Sequence, residues 1–558
     1  MSIKKHLPYV VFCLIIPVVL LLPLIYGHTL YFGNDLSFHV SRFYEIEENI
    51  RHGNWIPYVN TYTFNHAGVP LNMMYGTLLI YPIAVCMFIT GKTISGIYLG
   101  IAIVIAISML VSYWIFYKYS KDSRKSLLFA LLYNISVCFF NFIIDGFNFG
   151  ESAGMVWLPM VVYGTYQLFH NSNRNDWIYL SLGLSLTLYN HILSFIMFLG
   201  LTLFIYIIGL FMSSTSVRIR SLKNIIKAAL LGLCLSMFFI CEFLSIFLRN
   251  NMRLADPKNL SGIVPSELLS DTLNNHYIGG LLLILFIIVL VNYRKLDFNT
   301  KISCWLSIFF AFLMTSYADL LWTVINHTPL TFLQWTGRLV VIVQLFVSVA
   351  ICNYCYENWS LNNSYRYIAL LSLIIIVFMS NFVSWKGKVD SYVTVSNSQK
   401  VFPTKNYKIM DDLTLKNMIS GKYKSVGSLD YLKKNSYSDA LTNNKWNSYL
   451  NGKKVKVSEH SIPNGIIYSL DCRNSGTLNT KFYDYSKYKV TNNSQVISYK
   501  ESNRGTIAIR LKKGINKIII QYERPLLVTI GIATSTLSFI ILIIWKLFRR
   551  NSYFETTL

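Results

Sequence analysis

Uncharged apolar runs about 20 residues long recur along this chain, and an α-helix needs that length to cross the hydrocarbon core of a membrane. The first run, 7–26, follows Lys4 and Lys5. It is long for a signal peptide and lacks a small-residue cleavage pattern, so we expect it to be kept as a helix. Hydrophobic residues make up 53% of the 558 and charged residues only 14%, which is too apolar for a soluble protein of this length.

The formal net charge of +24 is a second constraint, because a strongly basic chain can bind nucleic acid. Here much of the Lys and Arg lies in short clusters beside the apolar runs. Such clusters mark the cytoplasmic loops of membrane proteins. We therefore predict a membrane protein with no nucleic-acid partner.

The same clusters decide how the chain crosses the membrane. If 75–90 spanned it, the helix at 94–117 would end outside and export the basic cluster at 118–125, against the charge rule. We therefore interpret 75–90 as a juxtamembrane or re-entrant helix. The clusters that then lie inside are 118–125, 218–223, 294–295 and 546–550. This path predicts a polytopic α-helical protein of about 12 transmembrane helices. The abundance of Lys, Asn, Ile and Tyr is typical of an A/T-rich bacterial genome, so we expect a bacterial plasma membrane.

Three regions follow from this topology. Residues 1–385 form a transmembrane domain with an outer loop at 27–93. Residues 386–523 form an extracytoplasmic domain in which segments such as 505–511 alternate apolar and polar residues, the pattern of β-strands. Residues 524–558 supply a last transmembrane helix and a basic cytoplasmic tail.

The polar residues that could carry chemistry lie on the predicted outer face. Asp35, His39 and Arg42 are spaced i, i+4 and i+7, which places them on one stripe of a helix. A carboxylate, an imidazole and a guanidinium together can act as a base, a metal site or a phosphate clamp. An ion-pair network that anchors the loop would assemble the same residue types.

Further candidates come from the later outer loops. Asp145 and Glu151 could hold a divalent cation or an acceptor hydroxyl, or could simply cap helix ends. Arg338, preceded by Gln334, could pair with a phosphate or extend to lipid headgroups. His191 ends a predicted helix on the same face.

In this order, the motifs resemble bacterial membrane proteins of the GT-C superfamily, in particular the "6-pyruvoyl-tetrahydropterin synthase-related" and YfhO-type proteins. The resemblance covers roughly 7–350 and, more loosely, the β-rich tail. Its motifs are Asn34-Asp35 with Phe38-His39 and Arg42, then His52-Gly-Asn-Trp-Ile-Pro57, Gly68-Val-Pro70, Tyr81-Pro82, Gly150-Glu151, Trp157-Leu-Pro159, Asn190-His191 and Leu333-Gln-Trp-Thr-Gly-Arg338.

The resemblance implies a GT-C-like fold and a site in the first outer loop. It makes Asp35 the catalytic base, and it makes Arg338 with Gln334 the group that holds the lipid phosphate. The supporting residues that it implies are His39, Arg42, Asp145, Glu151 and His191. A divalent cation such as Mg²⁺ or Mn²⁺ would be held by residues drawn from Asp35, His39, Asp145 and Glu151.

The leading hypothesis from the sequence is therefore an inverting glycosyltransferase. It would move a sugar from a polyprenyl-phosphate donor to a cell-envelope glycan or polymer outside the membrane. A transporter or flippase of a lipid-linked glycan is the alternative, although such proteins place polar residues midway through the membrane. A catalytically inactive envelope-assembly protein, or a β-rich binding module on a membrane anchor, is the third reading.

Overall fold

The computed structural model describes residues 3–170, 175–253, 258–359, 361, 363–396, 403, 405–420, 431–434, 436 and 446–555. In the first half the helices are α1 Ile3–Gly27, α2 Leu36–Arg51, α3 Leu71–Met74, α4 Ile80–Thr90, α5 Thr93–Ser120, α6 Ser123–Asn134, α7 Val137–Phe140, α8 Phe149–Met155, α9 Leu158–Gln167, α10 Ile178–Leu188, α11 Ile192–Phe211 and α12 Thr215–Phe247. In the second half they are α13 Pro265–Leu273, α14 Gly280–Val291, α15 Phe298–Met314, α16 Asp319–Ile325, α17 Val340–Asn358, α18 Ser364–Asp390, α19 Asp412–Ile419 and α20 Leu526–Glu555.

The chain is a multi-pass membrane protein. Seven helices of the described residues are long and apolar enough to span a membrane, and an eighth is added if the bent pair formed by 123–134 and 137–145 is one span. The predicted count of about 12 is not confirmed. Four other apolar helices, α4, α10, α14 and α15, have only 10–17 residues each, and a straight span needs about 20.

Two stretches whose apolar length predicts one helix each, 127–144 and about 154–169, are not single helices. The first bends by 45° between α6 and α7 and continues as a π-turn, Asn141–Asp145. The second begins at the end of α8, is interrupted at 156–157 and continues as α9. The irregular backbone at 145–147, between these two breaks, lies beside the first outer loop and close to Asp35.

Ion pairs and hydrogen bonds gather the basic clusters at one end of the helices. Lys118 at the end of α5 lies 3.7 Å from Asp176, just before α10. Lys125 in α6 pairs with Glu357 in the last turn of α17 at 3.0 Å. Arg220 near the start of α12 donates to the carbonyl of Phe169 at 2.9 Å. These loops therefore share one face, as the charge pattern predicts; we call it the basic end.

The candidate residues lie at the opposite end. His6 in the first turns of α1 donates to or accepts from the Tyr113 hydroxyl at 2.6 Å, so α1 starts at the basic end and Asp35, after its other terminus, lies away from it. Arg338 precedes α17, whose far end carries Glu357. The sequence's prediction that Asp35 and Arg338 share a face is consistent with this geometry.

The C-terminal region is β-rich, as predicted. After two short strands, β2 Val393–Val395 and β3 Tyr407–Ile409, ten strands follow: β4 Ser448–Leu450, β5 Lys453–Val455, β6 Ser458–Ile462, β7 Gly465–Cys472, β8 Gly476–Tyr483, β9 Tyr488–Asn492, β10 Gln495–Val496, β11 Tyr499–Glu501, β12 Thr506–Leu511 and β13 Gly514–Tyr522. They form two five-stranded sheets, β10-β9-β13-β7-β6 and β11-β12-β8-β4-β5. Alternate residues of both sheets, such as Tyr468 and Ile507, enter one apolar core.

Neighbouring strands in the chain do not always pair. The turn between β12 and β13 has the sequence of a hairpin, yet β12 pairs with β8 and β11 while β13 pairs with β7 and β9. The turn therefore carries the chain from one sheet to the other. Each strand has one apolar face. Because the two strands lie in different sheets that face each other, both apolar faces are buried between the sheets.

The first outer loop is built into this β-rich region. A strand just after α1, β1 Leu30–Tyr31, pairs antiparallel with β3. Further along the loop, the Thr61 hydroxyl donates to the carbonyl of Ile462 at 2.9 Å, and the backbone N–H of Tyr483 donates to the carbonyl of Ala67 at 2.9 Å. Gly68 has a positive φ of +70°, and any Cβ there would collide with the ring of Phe482.

A buried carboxylate in α2 organises that loop. Glu45 is fully buried, and its two oxygens accept from the backbone N–H groups of Thr61 at 2.9 Å, Tyr62 at 3.0 Å and Thr63 at 2.9 Å, and from the Thr63 hydroxyl at 2.7 Å. A loop without regular structure must satisfy its backbone donors in this way when it is buried. Glu45 thereby joins α2, which follows Asp35, to the β-rich region.

Candidate functional site

Asp35 lies in the tight connection between β1 and α2. Its backbone N–H is 3.4 Å from the carbonyl of Gly146, and a Cβ at Gly33 would lie 2.5 Å from Cβ of Phe147. The first outer loop and the 145–147 turn are therefore packed backbone to backbone. Asp35 occupies the N-cap position of α2, but its exposed side chain makes no capping hydrogen bond there.

Arg42 is buried two turns further along α2. Its Nη2 donates to the carbonyls of Tyr75 at 3.0 Å and Gly76 at 2.6 Å, and its guanidinium lies 4.4 Å from the centre of the Tyr75 ring. Burial lowers the pKa of Arg42 to about 10, so the group stays charged at neutral pH. Its Nε has no hydrogen-bond partner in the described chain, which leaves a positive charge beneath the Tyr75 loop.

His39 lies one turn before Arg42 in an aromatic environment. The rings of Phe38, Phe149 and Tyr75 lie 5.0 to 6.1 Å from its own. Burial and the charge of Arg42 lower the pKa of His39 well below its usual value. A neutral, aromatic-packed imidazole fills the interior of the loop and adds no charge.

Glu151 and Arg338 form an ion pair across α8 and the start of α17. Arg338 Nε lies 2.5 Å from Glu151 Oε1, and the two side chains are 21% and 11% exposed. Arg338 Nη1 also donates to the carbonyl of Leu333 at 3.0 Å and to Gln334 Oε1 at 3.1 Å. Two of the three guanidinium nitrogens are thus engaged, while Nη2 makes no hydrogen bond in the described chain.

Asp35 belongs to the same cluster as this pair. Burial raises the pKa of Glu151, Arg338 opposes the shift, and the negative charge of Asp35 adds to it. The charge of Asp35 also contributes to the raised pKa of Tyr75, which burial dominates. Residues more than a hundred positions apart therefore meet at one end of the helices: an exposed carboxylate beside a carboxylate–guanidinium pair.

His191 approaches Glu151 from α11, which it caps. Its Nδ1 accepts from the backbone N–H of Ser194 at 3.3 Å, and its ring centre is 5.5 Å from that of Tyr75. A Cβ on Gly150 would overlap the Tyr75 hydroxyl and lie 3.2 Å from His191 Nε2. Tyr75, His191 and the Gly150–Glu151 peptide therefore converge.

The remaining predicted residues lie at the edges of this cluster. Asp145 accepts from the indole N–H of Trp385 at 2.8 Å, a contact that fastens the 145–147 turn to α18. Gln334 has a left-handed backbone with φ of +61° and contacts Arg338. Within the described residues, no group of three or more His, Cys, Asp or Glu side chains could hold a metal ion, so Asp35, His39, Asp145 and Glu151 do not assemble into one ligand set.

Two functional features were missed by the sequence reasoning. Tyr75 was counted only as the start of an apolar segment, yet it contacts Arg42, His39 and His191 together. Glu45 lies only three residues after Arg42. A charged residue among apolar residues on one face of a helix is rarely buried without a role, and this is the sequence signal that indicates Glu45. Their partners come from distant segments, which no local pattern reveals.

A separate cavity lies away from this cluster. A volume of about 490 Å³ with mainly apolar walls lies toward the basic end, lined by residues that include Tyr119, Tyr166, Phe298 and Leu345. None of the residues of the polar cluster lines it.

No protein-family model matches the sequence, and no curated protein matches it. The resemblance to the pterin-synthase-related and YfhO-type proteins therefore stays a prediction.

Solved structures with similar folds include the oligosaccharyltransferase AglB from Archaeoglobus fulgidus in complex with an inhibitory peptide and a dolichol-phosphate. It is 14% identical with a TM-score of 0.35, and the match covers 72% of this chain and 57% of that one. The arabinofuranosyltransferase AftD from Mycobacteria is 10% identical with a TM-score of 0.43, and the match covers 94% of this chain and 40% of that one. This chain spans about half the length of these proteins.

Proposed function

We propose that this protein is a membrane glycosyltransferase of the GT-C kind, which transfers a sugar from a polyprenyl-phosphate donor to a cell-envelope glycan or polymer. The observation that carries the proposal is that exposed Asp35, whose backbone packs on the 145–147 turn, lies near enough to the Glu151–Arg338 pair for its charge to contribute to the raised pKa of Glu151. A base for an incoming hydroxyl and a cation for a departing phosphate are the two groups that such a reaction needs.

The proposed reaction assigns one role to each group. The Asp35 carboxylate takes the proton of an acceptor hydroxyl, and the oxygen attacks the anomeric carbon of the donor sugar. The bond from that carbon to the phosphate oxygen breaks, and the phosphate leaves with the electron pair, held by Arg338. The attack occurs opposite the leaving group, so the configuration at the sugar carbon inverts.

The depth of the cluster fits a lipid donor. Arg338 lies just before α17, and Asp35 follows the span α1, so both lie at the ends of membrane helices, where lipid headgroups are found. We place this end outside the plasma membrane of a bacterium, because the basic loops lie at the other end. The β-rich region, which contacts the first outer loop, then also lies outside the membrane, where the proposed acceptor is found.

The test is transfer by the purified, full-length protein in lipid nanodiscs. A panel of polyprenyl-monophosphate sugars is offered with envelope polymer as acceptor, and product formation is measured by mass spectrometry. Wild type should transfer one of the sugars. Asp35→Asn should lower the rate by about 10² to 10⁴, the range for losing a general base, while donor binding is retained.

Asp390→Asn is the matched control. Asp390 is an exposed carboxylate at the same end, held by Lys386 at 2.6 Å, and it lies outside the cluster. Its substitution should leave transfer unchanged. Full activity of Asp35→Asn would remove the mechanism, and unchanged envelope composition in cells lacking the protein would remove the function. Chelation in the same assay tests a requirement for Mg²⁺ or Mn²⁺.

A further inference from the structure

Three hydrogen-bond donors beside Glu151 have no acceptor in the described part of the chain. They are the hydroxyl of Tyr75, the Nε2 of His191 and the Nη2 of Arg338. Tyr75 and Arg338 are half-buried and His191 is 7% exposed, yet none of these three atoms is among the enclosed side-chain atoms that lack a partner. Each donor can therefore be reached from outside the chain, by water or by the oxygens of a ligand.

The state of His191 follows from its hydrogen bonds. The backbone N–H of Ser194 can only donate, so we assign Nδ1, which accepts from it, as the ring nitrogen without a proton; the Ser194 hydroxyl, 2.7 Å away, then also donates to Nδ1. The proton of the neutral ring is therefore on Nε2, which makes this atom a donor. Burial, together with the charges of Arg338 and Arg42, lowers the pKa of His191 to about 3, so the ring keeps this tautomer at physiological pH.

The position of Gly150 shows that two of the donors point to one place. A Cβ there would overlap the Tyr75 hydroxyl and come within 2.8 Å of His191 Cδ2 and 3.2 Å of Nε2. Only a residue without a side chain leaves both atoms room beside the backbone. The next residue is Glu151, whose carboxylate holds Arg338 at 2.5 Å and so brings the third donor to the same place.

The surrounding charge favours an anion with several oxygens. Arg338 is a cation whose Nη2 is available. Arg42 places a second, fully buried guanidinium below the Tyr75 ring, 4.4 Å from its centre. The rings of His39 and His191 stay neutral. Donors fixed in position around a positive charge are the arrangement that binds phosphoryl groups.

We propose that Tyr75 and His191 are phosphate-binding residues, which donate to the phosphoryl oxygens of a lipid-linked donor that Arg338 also contacts. The inference rests on the proposed function for the identity of the ligand as a lipid phosphate. It adds that recognition depends on two neutral donors as well as on a cation. Tyr75 and His191 thereby distinguish a phosphate from an uncharged lipid alcohol.

Equilibrium binding to the full-length protein in phosphatidylcholine nanodiscs tests this proposal. The probes are a polyprenyl monophosphate and the polyprenol of the same chain length. Wild type should prefer the phosphate. Tyr75→Phe and His191→Asn should each weaken phosphate binding by about tenfold or more, the typical effect of one hydrogen bond to a charged acceptor, and should leave polyprenol binding unchanged.

The two variants are chosen to preserve the fold. Phenylalanine keeps the ring that packs on Arg42. Asparagine keeps an acceptor near the position of Nδ1, and Asn is a good N-cap residue, but its side chain is too short to replace Nε2. Tyr98→Phe is the control, because the Tyr98 hydroxyl donates to the carbonyl of Thr29 at 3.1 Å, away from the cluster. It should not change the preference.

The outcomes separate this inference from the proposed function. If wild type transfers sugar but both variants bind the phosphate as wild type does, the inference is wrong and the function stands. If no transfer is found but both variants lose the preference for phosphate, the inference stands alone. If inorganic phosphate displaces the lipid probe at equal concentration, the ligand is free phosphate and the assignment to a lipid is overturned.

Discussion

Replacing Glu45 by Gln should loosen the first outer loop from α2 and from the β-rich region. The two carboxylate oxygens accept one set of donors each: Oε1 accepts from the Thr61 N–H and from the side-chain amide of Asn49, and Oε2 accepts from the Tyr62 and Thr63 N–H groups and the Thr63 hydroxyl. Glutamine has almost the same shape but only one oxygen. Whichever way its amide turns, its NH₂ group faces at least one backbone N–H.

The magnitude follows from this count. Burial raises the pKa of the Glu45 carboxyl and the hydrogen bonds from the loop lower it, so these bonds offset much of the cost of burying the group. In the less damaging orientation, the Thr61 N–H is left without an acceptor, which costs about 1–3 kcal/mol. The remaining bonds lose their charge assistance. We expect the loop to be destabilised by about 2–4 kcal/mol in total.

Hydrogen exchange measures this change locally. The amides of residues 58–69 should exchange roughly 30-fold to several hundredfold faster in the variant, since about 1.4 kcal/mol corresponds to a factor of ten. Amides in α5 should be unaffected. Glu48→Gln is the matched control, because Glu48 lies on the same helix and its ion-pair contact is with Arg51 at 3.9 Å. Unchanged exchange of 58–69 in Glu45→Gln would refute the reasoning.

Three further predictions concern the polar cluster. Arg338→Met should lower thermal stability by about 3–5 kcal/mol because it leaves the Glu151 charge buried and unpaired; adding Glu151→Gln should restore the melting temperature but not transfer, and a double variant as unstable as the single one would contradict the pairing. Gly150→Ala should impair binding of the polyprenyl-phosphate probe, because the added methyl group overlaps the Tyr75 hydroxyl, and wild-type affinity would show that the space is open. The pKa of His191 is lowered to about 3, so between about pH 6.5 and 4 the unfolded chain binds a proton that the folded chain excludes; wild type should therefore lose more stability than His191→Asn as the pH falls through this window, and parallel melting curves would disagree.

The structure shows why some local predictions needed correction. Apolar length predicts a helix, but the chain bends near 135 and is interrupted near 156. Between these two points, the 145–147 turn and Gly150 pack against the first outer loop, a contact that depends on residues far away in the sequence. Alternating residues predicted strands β12 and β13 at nearly the right positions. Their pairing in different sheets depends on which faces are buried together.

By itself, the sequence determined that this is a multi-pass membrane protein with a β-rich C-terminal region, because hydropathy and period-two alternation act over short, contiguous segments. It also indicated which loops share the basic end, since charge clusters are local. Only the tertiary structure brought Glu151 to Arg338 and Tyr75 to His191. Those contacts join residues that are over a hundred positions apart, and the closeness of two such side chains depends on the packing of all the helices between them.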